Sequence, residues 1–241
     1  MNLGRAFRFA FEDAAWSTKA GIGAIISILP ILSFAAVGYE VEVARRVAAG
    51  EDGELPTWDD LGSFFRDGAR LGLAQAVLTM PAMGLLCLPL FSALWLLVTS
   101  SDAHRLNERT PAILLICGAG LALFLVAWLV LSFVSPAMVA NYVRRGSFAA
   151  CFDVRAFARL IAADPSGYLT VVAALIAMGI AAAVVIGPLT AILNIIPCLG
   201  YLAYMLLYGG FIFYTLLVQG HLVGQLLQTV AAPGPEPAGA G

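Results

Sequence analysis

Asp, Glu, Lys and Arg are missing from four long stretches of this chain, and those gaps leave few folds open. Between Lys19 and Glu40 lie 20 residues without one of these side chains, and between Arg70 and Asp102 lie 31. Between Arg109 and Arg144 there are 34, and between Asp164 and Glu236 there are 71. A helix crosses the hydrocarbon of a bilayer with about 20 mostly apolar residues, and in lipid its backbone polar groups must be satisfied within the protein. The first three gaps therefore read as one crossing each and the last as two. The expected fold class is all-α, a polytopic helical membrane bundle of about five spans, at about 20–43, 71–100, 112–140, 168–193 and 201–228.

Composition follows the gaps. Hydrophobic residues make up 61% of the 241 residues and charged residues 12%, against about 45–50% and about 25% in soluble domains. Twelve of the basic residues are Arg, only Lys19 is Lys, and the formal net charge is −2. No basic cluster is dense enough for a nucleic-acid patch, so the expected partner is the lipid bilayer and not nucleic acid. Cys87, Cys117, Cys151 and Cys198 stand singly and without metal-ligand spacing. They read as small apolar side chains, and no metal, cofactor or disulfide framework is expected.

The charged residues gather in segments that flank the gaps. Residues 1–19 lack the layout of a cleaved signal peptide. They set Leu3, Phe7, Phe11 and Ala14 on one side of a helix, with Arg5, Arg8, Glu12 and Asp13 mostly on the other and Phe9 and Trp16 near the border. That pattern predicts an interfacial amphipathic helix over about 3–16. Pro56-Thr57-Trp58-Asp59-Asp60 reads as a helix start, with Thr57 as a cap and the two acids at the positive end of the helix dipole. A second interfacial helix over about 57–67 follows from it. A third, over about 148–163, sets Phe148, Phe152, Phe157 and Leu160 against Arg155, Arg159 and Asp153. Residues 1–230 are expected to form a single integral membrane domain, followed by a Pro/Gly-rich, disordered tail over 231–241.

Pro30, Pro81, Pro89, Pro136 and Pro197 are candidate helix breaks, because proline removes one backbone donor and clashes with the preceding turn. Within 71–100, Pro81 and Pro89 leave open one twice-bent helix or a broken pair that dips and turns. The halves of the chain also look alike: Pro30…Tyr39…Arg45-Arg46 is echoed by Pro136…Tyr142…Arg144-Arg145. A two-span repeat would put loops 40–70 and 141–167 on one face. Each carries four Arg, which the positive-inside rule assigns to the cytoplasm. Arg5, Arg8 and Lys19 weigh the other way.

Several of these residues carry a family resemblance. They are Leu29-Pro30-Ile31, Gly38-Tyr39 with Val41, Arg45 and Val47, and Leu55-Pro56-Thr57-Trp58-Asp59-Asp60 with Phe65 and Asp67-Gly68. Later come Ser135-Pro136-Ala137 with Tyr142, Gly146 to Asp153, Ile196-Pro197-Cys198-Leu199-Gly200, and Gly224-Gln225. Along nearly its whole length the chain resembles the uncharacterised multi-pass membrane family catalogued as domain of unknown function 4013. The acidic Leu-Pro-x-Trp-Asp-Asp segment is the specific part, and Thr57 departs from the acidic residue such proteins often carry there. The resemblance implies a multi-pass membrane architecture and no particular activity.

The function classes separate on chemistry. An enzyme needs an activated nucleophile, an acid–base pair or a metal in a pocket; the sequence makes no such pairing evident for His104 or His221, so no catalytic residue is expected and the protein is read as not an enzyme. Ion-coupled transport needs ionisable residues at depth, and the span centres hold none. A permease-like protein for a small or apolar solute, without a charged site in the membrane, is the alternative reading. The leading one is a non-catalytic membrane subunit that organises partners. It would form homo- or hetero-oligomers through small-residue helix faces such as Gly68/Gly72, Gly179/Ala183 and Gly220/Gly224. Its candidate recognition loop is Trp58, Asp59, Asp60 and Asp67.

Overall fold

A computed structural model describes residues 1–51, 53–99, 103–193 and 198–231, and among them there is no strand. Eight α-helices follow in order among the described residues: α1 (Leu3–Glu12), α2 (Trp16–Ile28), α3 (Ser33–Ala48), α4 (Leu61–Val98), α5 (Ala103–Arg145), α6 (Val154–Ala163), α7 (Pro165–Leu193) and α8 (Leu199–Ala231). Four of them, α4, α5, α7 and α8, are long and apolar enough to cross a membrane. The protein is an all-α membrane bundle. The contacts divide the chain into two compact units, one of Met1–Leu73 with the chain from Ser135 onward, the other of Ala74–Val134.

The window 20–43, expected as a single span, is instead two helices. Pro30 cannot donate to the helical ladder, and α2 stops at Ile28. The turn is braced by local bonds: Leu29 N–H donates to the Ile26 carbonyl at 3.2 Å, and Ser33 N–H to the Leu29 carbonyl at 2.8 Å. The Ser33 hydroxyl donates to the Pro30 carbonyl at 2.8 Å. Neither α2, with 13 residues, nor α3, with 16, is among the four spanning helices.

Both helices pack on α8 but run in opposite senses along it. Gly23 lies against the Phe213 ring, and farther along α2 the Ile28 side chain and the Ala24 carbonyl meet Gly209. In α3 the direction reverses, with Glu40 against Gly220, Val47 against Gly224, and the Gln228 amide donating to the Val47 carbonyl. Phe213 and Leu217 of α8 join Ala35, Ala36, Tyr39, Val43 and Val47 of α3 in the core of this unit.

The other prolines behave differently from Pro30. The helices run through Pro81, Pro89 and Pro136 without interruption, so these candidate breaks do not end a helix, and of the two alternatives for 71–100 the described part, 71–98, belongs to one continuous helix. Spanning helices tolerate an interior proline because neighbouring groups take over the freed backbone. Within the Ala74–Val134 unit, Gly120 of α5 packs on the Pro89 ring and faces the Leu85 carbonyl, the group whose usual donor Pro89 removes; a Cβ there would lie 3.1 Å from that oxygen. Pro197 lies outside the described residues.

The flanking helices also need adjustment. No separate helix forms over 57–67: a short 3-10 turn, Trp58–Asp60, leads directly into α4. Asp60 Oδ1 accepts from Ser63 N–H at 3.0 Å and so caps that start. On the third segment, a 3-10 turn over Phe148–Phe152 precedes α6. Asp153 caps α6 by accepting from Ala156 N–H at 3.0 Å. In α1 the buried residues are Ala6, Phe9 and Ala10, while Leu3 and Phe11 of the predicted apolar stripe stay exposed. The small Ala6 and Ala10 sit on the packed side, and Phe9, expected at the border, sets its ring 4.4 Å from His221 of α8.

Candidate functional site

The segment Leu55–Trp58 is held from three sides. Asp13, at the end of α1, accepts from Lys19 Nζ at 2.7 Å, Ala15 N–H at 2.7 Å and Leu55 N–H at 3.0 Å. Lys19 Nζ donates a second bond to the Leu55 carbonyl at 2.7 Å. Both charged side chains are largely out of water. Burial raises the pKa of Asp13, but the bonds from Lys19, Ala15 and Leu55 together outweigh it and leave the carboxyl below its ordinary value of 3.8.

Aromatic packing completes the clasp. The Tyr39 hydroxyl donates to the Pro56 carbonyl at 2.6 Å. The Trp58 indole stacks on the Tyr39 ring at 4.4 Å and 27°, stands edge-on to Phe64, and donates to the Lys19 carbonyl at 3.1 Å. Trp58 is thus a packing residue whose N–H has a partner, the usual state of a half-buried tryptophan.

The structure does not bring the remaining members of the predicted recognition loop together around one point. Asp60 caps α4. Asp59 is exposed in the preceding turn. Asp67 pairs with Arg45 Nη1 at 2.5 Å and accepts from the Tyr142 hydroxyl at 3.1 Å. That bond joins the end of α5 to α4 within one unit, which puts Arg45, Asp67 and Tyr142 on the same face. Beside them a groove of about 330 Å³ is lined by Arg45, Ala48, Val143, Arg144, Leu227 and Val230.

The most unusual chemistry lies where the sequence offers no motif. Glu40 is fully buried, and neither carboxyl oxygen has a hydrogen-bond partner among the described residues. Its carbonyl and Cγ press on Gly220, where a Cβ would come within 2.6 Å of the carbonyl oxygen. The next residue, His221, is buried as well. Gln225 accepts from Asn2 N–H through Oε1 at 2.7 Å, which fixes its amide orientation. Its Nε2 lies 3.0 Å from His221 Nδ1, so that ring nitrogen accepts and the ring hydrogen sits on Nε2. Gln219 donates to Ser135 Oγ at 2.9 Å.

Sequence reading neither brought Asp13 and Lys19 together at Leu55 nor singled out the buried Glu40 and His221. Glu40 entered it only as the charge that ends the first gap. Its position two residues after Gly38, in a run with Ala35, Ala36, Val43 and Val47, was the available signal that it faces a packed interior. The described residues contain no group of three or more His, Cys, Asp or Glu side chains placed to hold a metal. The four cysteines are free, with Cys151 buried.

No curated protein and no solved structure matches the chain. Over residues 22–194, from α2 to just past the end of α7, it matches the sequence model of the family described as Protein of unknown function (DUF4013), and the chain belongs to that family.

Proposed function

We propose that the protein is a non-catalytic subunit of the cell membrane that organises partner helices. One observation carries this reading. In the most apolar windows of α4 and α5 only 11% and 6% of residues are buried. Met80, Leu88, Phe91, Trp95, Leu115 and Val126 are among the exposed side chains of that two-helix unit. A pair of helices with so little core of its own is suited to further helix–helix packing, and Gly84 and Gly118 leave open space at which another backbone could approach. The polar clusters of the other unit support the same reading, because their bonds tie chain segments to one another.

The test is crosslinking in native membranes followed by affinity purification. The expected result is a reproducible hetero-complex or homo-oligomer whose crosslinks fall on Ala74–Val134. Recovery of the uncrosslinked monomer alone would overturn the proposal.

A second reading, a permease for a small or apolar solute, is favoured by Glu40. A fully buried acid whose oxygens have no partner among the described residues is expensive to keep and calls for a functional explanation. Solute flux in proteoliposomes that disappears in Glu40→Gln supports it, and a broad solute screen without flux counts against it.

A further inference from the structure

The gap from Lys19 to Glu40 looks like a crossing, yet its two flanks are bonded to each other. Lys19 donates to the Leu55 carbonyl at 2.7 Å, Leu55 N–H donates to Asp13 at 3.0 Å, and Trp58 Nε1 donates to the Lys19 carbonyl at 3.1 Å. Were α2 and α3 together one crossing, residues 13–19 and 55–58 would be separated by the hydrocarbon core, about 30 Å. The contacts along α8 say the same thing independently. Going from Gly23 to Ile28, α2 moves from Phe213 to Gly209, whereas α3 moves from Gly220 at Glu40 to Gln228 at Val47. The chain goes down beside α8 and comes back up.

Length and depth agree. The 13 residues of α2 make a helix of about 20 Å, too short for the hydrocarbon core. Its end rests on Gly209, which lies about 15 Å along α8 from Leu199 at 1.5 Å per residue. That is about half the depth of a bilayer whose far boundary is near Leu199.

The turn itself suits lipid. Leu29, Ile31 and Leu32 are 44%, 71% and 46% exposed, and no charged residue occurs from 20 to 39. Pro30 has no N–H to strand in hydrocarbon, its carbonyl takes the Ser33 hydroxyl, and the Leu29 carbonyl takes Ser33 N–H. Non-helical backbone at membrane depth is tolerated in re-entrant segments where it is buried in protein, and here it is confined to residues 29–32 between two helices that both pack on α8.

We propose that α2 and α3 form a re-entrant hairpin that enters and leaves the bilayer from one face, with the apolar turn at Leu29–Leu32 seated in lipid hydrocarbon near mid-depth. The surface it offers is an aliphatic tip, and its occupant is the acyl chains of the bilayer. This leaves α4, α5, α7 and α8 as the crossings. It also sets the Asp13–Lys19–Leu55 clasp at the mouth of the hairpin, where it closes the loop.

Cysteine labelling in intact and opened cells tests the topology on the full chain. Cys87, Cys117 and Cys151 are replaced by Ala, Cys198 is kept in one variant as the marker of the far end of α8, and Ser17→Cys and Glu54→Cys are made singly without it. Ser17 and Glu54 are exposed, so these changes leave packing intact. A membrane-impermeant maleimide is expected to reach positions 17 and 54 from the same side and Cys198 from the other. Labelling of 17 and 54 from opposite sides would overturn the hairpin. Depth is read separately from a nitroxide on Ile31→Cys in phosphatidylglycerol/phosphatidylcholine vesicles. Relaxation by oxygen is expected to exceed relaxation by a water-soluble nickel chelate several-fold, and the reverse order would place the turn outside the bilayer and overturn the proposal.

Discussion

Gly38 of α3 and Gly68 of α4 seat each other's helices. The Gly38 Cα faces the Phe64 backbone and the Gly68 Cα faces the Phe34 backbone, so each helix offers a glycine to a residue four positions from the other glycine. A Cβ at either site would fall inside the opposing carbonyl, and since that atom is backbone the helices must separate. Gly38→Ala or Gly68→Ala should destabilise the protein by about 3 kcal/mol, the upper end of overpacking penalties. Because one separation serves both methyl groups, the double variant should lose clearly less than the sum of the singles. Thermal midpoints of the three variants in nanodiscs check this, and strict additivity would show that the two contacts are independent.

The Asp13–Lys19 pair makes stability depend on acid. The folded carboxyl titrates below its ordinary 3.8, so the folded state holds fewer protons than the unfolded chain in that range. Its contribution is complete above the unfolded value and is lost as pH falls through the folded one. Asp13→Asn should therefore flatten the decline in thermal midpoint below about pH 4 while lowering the midpoint at neutral pH. Asp13→Ala should cost about 3 kcal/mol at neutral pH, because it leaves the largely buried Lys19 ammonium without its carboxylate. An unchanged acid limb in Asp13→Asn would move the titration elsewhere.

Trp58 and Asp59 are neighbours in sequence with opposite weight in the fold. Trp58→Ala removes the stack on Tyr39, the contacts with Phe64 and Phe213, and the bond to the Lys19 carbonyl, and should lower stability by about 3 kcal/mol or more. Asp59→Asn, in an exposed turn, should stay within about 0.5 kcal/mol. Trp58→Phe should recover part of the loss by restoring a ring without the donor. Equal effects from Trp58→Ala and Asp59→Asn would return this segment to the recognition role that its acidity suggests.

The residues that were easy to read and those that were not differ in the kind of physics they obey. Desolvation is a property of each side chain, so the gaps beyond Arg70, Arg109 and Asp164 mark helices that the structure also has. The helix start near Asp60 could be placed because its signals are local, although Asp60 and not the expected Thr57 supplies the capping oxygen. Direction along α8 is not local. Nothing in 20–43 distinguishes a crossing from a hairpin until Lys19 meets Leu55 and Ile28 meets Gly209. The side of α1 that packs on the protein was not legible because Ala6 and Ala10, weak signals by hydrophobicity, are what permits a close approach, while Leu3 and Phe11 of the apolar stripe remain on the surface. Glu40 was hidden by its charge, which marked the edge of a gap when the side chain is inside.

Glu40 offers the sharpest separation between structure and function. Both of its oxygens are buried without a partner among the described residues, and such groups weaken a fold by about 1–3 kcal/mol each when nothing compensates. Glu40→Met, similar in length and free of polar atoms, should therefore raise the thermal midpoint, and Glu40→Gln, which keeps the shape without a charge, should at least preserve it. If the acid serves transport, the same variants lose solute flux while gaining stability, the usual opposition at a functional site. Gly220→Ala supplies the control: a Cβ 2.6 Å from the Glu40 carbonyl pushes α3 from α8 and should lower stability without removing the acid. Should Glu40→Met unfold earlier than the parent, the carboxyl must have a partner in the working protein, and crosslinking from positions 36 and 44 on the same face of α3 would locate it.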